Sequence, residues 1–181
     1  TLTYGGASTY ICDFTKDGNK MLYISSVMRP DEYPFYFKDL IEMNLNTLAT
    51  DTIIRNDGYI NSAIYSPDAK QLFITGSPQA FNGIGANAGN HEIPNDFDGQ
   101  GFIYTIANGN VKPITKEFDP ALTGDPVWIT IDGNIYFLGE TGFYKKIYSL
   151  NPGSGKITEL DGKIGNVHSF SMGDDEDQWI S

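Results

Sequence analysis

Cysteine is nearly absent from this 181-residue chain. Cys12 stands alone, so neither an intrachain disulfide nor a cysteine-based metal centre can form. Histidine is almost as scarce. His91 and His168 are the only two, and neither sits in a motif that would place it as the base of a nucleophile. Cations are few: 12 Lys and Arg against 23 Asp and Glu give a formal charge of −11. A surface of that sign repels phosphate backbones and anionic membranes, so nucleic acid is not expected as a partner. No run approaches 18 apolar residues, so no membrane insertion is expected. No sustained 3.6-residue apolar period is present, which argues against a helical fold.

What the chain has instead is aromatics and turn formers. There are 11 Tyr, 11 Phe, 2 Trp, 20 Gly and 9 Pro, a composition that suits short strands joined by turns. An Asp-containing turn recurs as "KDGNK" at Asp17, "PDAKQ" at Asp68 and "IDGNI" at Asp132, with a degenerate copy, "GDDEDQ", around Asp175. Each follows a strand-like run ("TYICDF", "SAIY", "PVWIT", "VHSFSM") and precedes another ("MLYISS", "QLFITGS", "IYFLGE", "QWIS"). A third and a fourth strand-like run complete three of these units, closed by hairpin turns such as "ANGNV" and "NPGSGK".

Two units carry extra residues between the second and third runs, at 27–38 and 78–100. Without them the repeat is about 40 residues and four strands long, the size of a propeller blade. The expected fold is therefore all-β: three complete four-stranded blades at about 7–60, 61–123 and 124–164, and part of a fourth at 165–181. A β-sandwich is the competing architecture. Because propellers close with typically 4–8 blades, the chain is expected to be a piece of a longer protein.

"YSPDAKQLFITGS" resembles the signature of the PD40, or TolB-like, propeller repeat. Such repeats build TolB-type proteins and the N-terminal propeller of prolyl-oligopeptidase-family serine peptidases, which include dipeptidyl peptidase IV and acylaminoacyl peptidase. The stretch "GSPQAFNGIGANAGNHEIPNDFDGQGFIYTI" is similar to one in bacterial members of that peptidase family. The resemblance implies an α/β-hydrolase domain elsewhere in the same parent chain, peptide substrates, and a periplasmic or secreted bacterial location. The propeller would gate and position the peptide. The alternative is a TolB-like periplasmic propeller that binds proteins without catalysis. A stand-alone enzyme using channel-facing carboxylates, such as Asp13 or Asp125, is the third reading.

The residues supply no catalytic motif. The nucleophile elbow G-x-S-x-G is missing, since "NPGSG" has Pro152 two positions before Ser154 and reads as a hairpin turn. "GIGANAG" lacks the spacing and the strand–turn–helix setting of a dinucleotide loop. "NDFDG" and "GDDEDQ" do not fit the twelve-residue calcium loop and read as solvated turns. No catalytic residue, cofactor or metal is expected. Function is expected in the two insertions, with Asp31, Glu32, Tyr33, Phe81, His91 and Asp98 as candidate substrate-loop residues.

Overall fold

Short β-rich runs separated by tight turns form twelve strands in a computed structural model that describes residues 5–87, 97–160 and 165–173. The first sheet contains β1 (Ser8–Phe14), β2 (Lys20–Met28), β3 (Tyr36–Asn44) and β4 (Thr50–Ile54). The second contains β5 (Ile60–Tyr65), β6 (Gln71–Gly76), β7 (Gln100–Thr105) and β8 (Asn110–Pro113). The third contains β9 (Ala121–Trp128), β10 (Ile135–Thr141), β11 (Tyr144–Leu150) and β12 (Ile157–Glu159). Each is an antiparallel meander in chain order. A single turn, α1 (Ala80–Gly83), interrupts the β6–β7 connection.

The sheets stack face to face because their second strands are apolar on both sides. Successive strand residues point to opposite faces, so Leu22 and Ile24 of β2 meet Leu72 and Ile74 of β6 in one core layer, with Leu40 and Phe102. Phe73 of β6 points the other way and joins Ile135 and Phe137 of β10 in the next. Phe73, Phe102 and Phe137 are fully buried, each worth on the order of 1.5–3 kcal/mol of burial. The outer faces repeat the pattern: Met21, Tyr23 and Met43 form a cluster on the first sheet, and Tyr136, Leu138 and Ile147 one on the third. Val167 is buried in the latter, with Phe170 and Met172 partly buried beside it. Residues 165–173 lie against that face without forming a strand.

The first strands are innermost: β1 contacts β5, and β5 contacts β9. Each carries a register shift against its neighbour, at Cys12, at Asn61 and at 124–126. Such bulges bend a strand and re-aim its side chains.

Two details differ from the sequence expectation. Residues 27–38 are mostly not an insertion loop, because β2 and β3 run on in register to Met28 opposite Tyr36, leaving only 29–35 as the connection. Val27 pairs with Phe37 and Met28 with Tyr36, and β-branched and aromatic side chains favour such pairing. The third Asp turn is also out of phase. Thr15, Ser66 and Ile129 each donate the N–H that closes a hairpin onto the carbonyl five residues on. Counted from those residues, Asp17 and Asp68 are third in their turns and Asp132 is fourth. A one-residue offset exchanges the faces of every following side chain. Ile135 and Phe137, rather than Tyr136, therefore face the second sheet.

Candidate functional site

Antiparallel meanders send alternate connections to opposite ends. The Asp turns and the third-to-fourth-strand turns lie at one end. The second-to-third-strand connections and the links between sheets lie at the other.

The turn end is closed on itself. Asp17 accepts from the Thr15 hydroxyl at 2.6 Å, the Asn19 N–H at 3.0 Å and Asn19 Nδ2 at 2.8 Å. Asp68 accepts from the Ser66 hydroxyl at 2.8 Å and the Lys70 N–H at 3.2 Å. Asp132 accepts from the Tyr136 hydroxyl at 2.5 Å and the Asn134 N–H at 2.9 Å. The carboxylates are spent on holding turns.

The other end is built from distant pieces, and residues 55–59 between β4 and β5 hold them together. Gly58 passes directly beneath the Pro34 ring and the Tyr36 carbonyl, so closely that any Cβ there would collide with both. Asp57 accepts the Tyr59 N–H at 2.9 Å and the Phe81 N–H at 2.8 Å, one on each oxygen. That second bond fixes the β6–β7 connection at a point where Phe81 and Asn82 both have positive φ, 55° and 60°, a conformation ordinary side chains avoid. The Phe81 ring packs on Phe102 with centroids 5.2 Å apart. Farther along, Lys116 donates to the Ile84 carbonyl at 3.1 Å and Asn87 to the Lys116 carbonyl at 2.8 Å.

Where residues 55–59 meet Pro34 and Phe81 lies a cleft of about 370 Å³. Pro34, Phe37, Tyr59 and Phe81 supply apolar walls, and Arg55, Asn56, Gln79 and Asn82 supply polar groups. Burial lowers the Lys38 ammonium from its ordinary value, and the charge of Asp57 opposes that shift. Each second-to-third-strand connection also presents an aromatic to solvent: Tyr33 and Phe35 in the first sheet, Phe97 in the second, Phe143 in the third.

A second cleft, of about 360 Å³, lies along the innermost strands. Cys12 and Asp13 of β1, Ser62 and Tyr65 of β5, and Asp125 and Trp128 of β9 line it. Asp13 accepts the Tyr65 N–H at 2.8 Å, and burial raises its carboxyl above the usual range. Burial likewise raises the Cys12 thiol. The Tyr65 hydroxyl donates to Glu42 at 2.8 Å, and Glu42 pairs with Lys20 at 2.8 Å. The two carboxylates singled out in the sequence, Asp13 and Asp125, thus share one cavity, with the thiol and the indole beside them. Among the described residues, no three His, Cys, Asp or Glu side chains gather as a metal-ligating group.

Three four-stranded meanders stacked about their innermost strands, β1, β5 and β9, leave one architecture. The fold is a run of β-propeller blades. No known family profile matches the sequence, and no curated protein does. Among solved structures, the propeller is similar to TolB from Acinetobacter baumannii, at 17% identity and a TM-score of 0.63. It is also similar to oligogalacturonate lyase from Vibrio parahaemolyticus, at 14% and 0.60, and to Pyrococcus horikoshii acylaminoacyl peptidase, at 14% and 0.52. These alignments cover 91%, 87% and 92% of this chain but span only 35%, 42% and 26% of the others. At such identities the likeness is one of fold.

The propeller separates the candidate residues. Phe81 lines the loop-face cleft. Asp31, Glu32 and Tyr33 stand exposed on the 29–35 connection, where Glu32 pairs with Arg29 at 3.5 Å and Tyr33 meets Phe35 edge-on at 6.0 Å. Asp98 is half-buried just before β7 and lines neither cleft. His91 lies outside the described residues, and His168 is exposed. Sequence reasoning passes over Asp57 and Gly58, which organise the cleft, and Arg55, which lines it. They fall in "IRNDGY", which reads as a plain turn. Its one distinctive signal is the Asp-Gly pair between two strands that do not form a hairpin.

Proposed function

We propose that this chain is a non-catalytic recognition segment that holds an extended polypeptide across the loop-bearing end of the propeller. In its parent protein it gates and positions peptide substrates for a serine exopeptidase domain of the α/β-hydrolase type, in the bacterial periplasm or outside the cell. One observation carries the reading: the long connections of two consecutive blades converge with residues 55–59 on a single cleft. Clefts with apolar walls and a few convergent polar groups are where ligands bind, and loops on a rigid scaffold are where proteins vary what they bind. Acylaminoacyl peptidase is among the solved structures that share the fold, which supports a peptide ligand. TolB shares it too, and supports the alternative, a protein-binding propeller without activity.

The full-length parent protein tests this. It should react with a fluorophosphonate probe at a serine outside residues 1–181 and should hydrolyse peptide p-nitroanilides. Absence of both in folded full-length protein overturns the peptidase role and leaves the alternative. Under either role the protein should bind a reduced, carboxymethylated polypeptide, and failure to do so overturns recognition itself.

A further inference from the structure

The loop-face cleft contains a charged side chain that the fold does not use. Arg55 is exposed on the cleft wall and, among the described residues, makes no hydrogen bond or ion pair. Three carboxylates at this end of the blades are already engaged. Asp57 accepts two backbone N–H groups, Asp39 accepts the Asn56 N–H at 2.7 Å, and Glu32 pairs with Arg29. Arg29 in turn stacks over Phe37, 4.3 Å from the ring centroid. A free guanidinium fork therefore stands beside apolar and aromatic walls, on a chain whose net charge is −11.

We infer that this cleft selects a peptide carboxylate that neighbours an aromatic or aliphatic side chain. Arg55 takes the carboxylate, because a planar guanidinium matches a carboxylate with two parallel hydrogen bonds. The Phe37, Tyr59 and Phe81 walls take the neighbouring side chain. Asn56, Gln79 and Asn82 are placed to hydrogen-bond the peptide backbone. The inference rests on the recognition reading above and names the class of peptide it selects. The same carboxylate chemistry is offered by an Asp or Glu side chain and by a free C-terminus.

Three fluorescent hexapeptides distinguish the sources when titrated into the full-length protein. One carries Phe-Glu and an amidated end, one Phe-Gln and an amidated end, and one Phe-Gln and a free C-terminal carboxylate. At least one acidic peptide should bind about tenfold more tightly than the neutral one, as a charge-assisted hydrogen bond gives, and added salt should narrow the difference. Whichever acidic peptide shows the gain identifies the source. Arg55→Gln should bring all three to the neutral affinity without abolishing it, and Arg55→Lys should restore part of the difference. Equal affinities for the unaltered protein, or a preference that survives Arg55→Gln, overturns the inference while recognition stands. If none of the three binds although the carboxymethylated polypeptide does, the cleft is not the recognition site and the inference also fails.

Discussion

The two ends of the blades are held by different kinds of contact. At the turn end, Asp17 and Asp68 are bonded by side chains and N–H groups two residues away. At the loop end the partners are far apart in sequence: Pro34 over Gly58, Asp57 with Phe81, Lys116 with Ile84. Local contacts need nothing from the rest of the molecule and so repeat from blade to blade. Distant contacts form only once the blades are stacked, and they differ from one blade to the next. That makes the loop end the place where one blade differs from the next.

Gly58→Val attacks the loop end most directly. It forces Pro34 and the 29–35 connection away, at about 3 kcal/mol for an overpacked site, and should abolish peptide binding. Urea unfolding and anisotropy measure the two effects. Gly18→Ala is the counterpart at the turn end. Gly18 has a φ of 68° and open space around it, so the change should cost about 1 kcal/mol of left-handed strain and leave binding unchanged. Equal effects on binding would erase the distinction between the ends.

Asp57→Ala removes the acceptor of two N–H groups and should cost about 2 kcal/mol. Amide exchange should quicken around Phe81 and stay slow in β6, because the strand is fixed by its own ladder and only the connection depends on Asp57.

Ala69 holds the position of Gly18 in the second turn, at a φ of 53°. Ala69→Gly should raise stability by about 1 kcal/mol with no effect on the cleft, seen as a higher denaturation midpoint at unchanged slope. A fall in stability would mean that the turn is held by more than its local bonds.

The smallest effect is a pair of opposite pH responses. The Thr15 hydroxyl and the Asn19 groups lower Asp17 from 3.8 to about 2. Its folded value lies below its unfolded one, so its contribution is present above the unfolded value and is lost as pH falls through about 2. Asp13, half-buried in the second cleft, is raised by desolvation. Its contribution is complete below the unfolded value and is lost as pH rises through the folded one. Asp17→Asn should flatten stability on the acid side, and Asp13→Asn should flatten the decline just above the ordinary carboxylate range. Urea midpoints across pH read both.

Much of the scaffold was legible in the chain. The runs "MLYISS" and "QLFITGS" became β2 and β6 because a short continuous apolar run directly after an Asp turn specifies the second strand of a hairpin locally. The third copy misled by one residue, since "IDGN" looks like "KDGN" and only the hairpin-closing bonds show which residue occupies which place in the turn. Of the candidate residues, Phe81 proved to line the cleft. Asp31 and Glu32 stand on a hairpin tip, residues 29–35, shorter than the spacing of the repeat implies.

The sequence by itself determined the blades: their strands, their turns and which side chains are apolar enough to stack. Those properties depend on residues within a few positions of one another. Only the tertiary structure decided the site. It laid Pro34 on Gly58, tied Asp57 to Phe81, left Arg55 without a partner among the described residues, and placed Asp13 and Asp125 in one cleft. Each of these depends on side chains that meet through space after the chain has folded, and no spacing along it announces them.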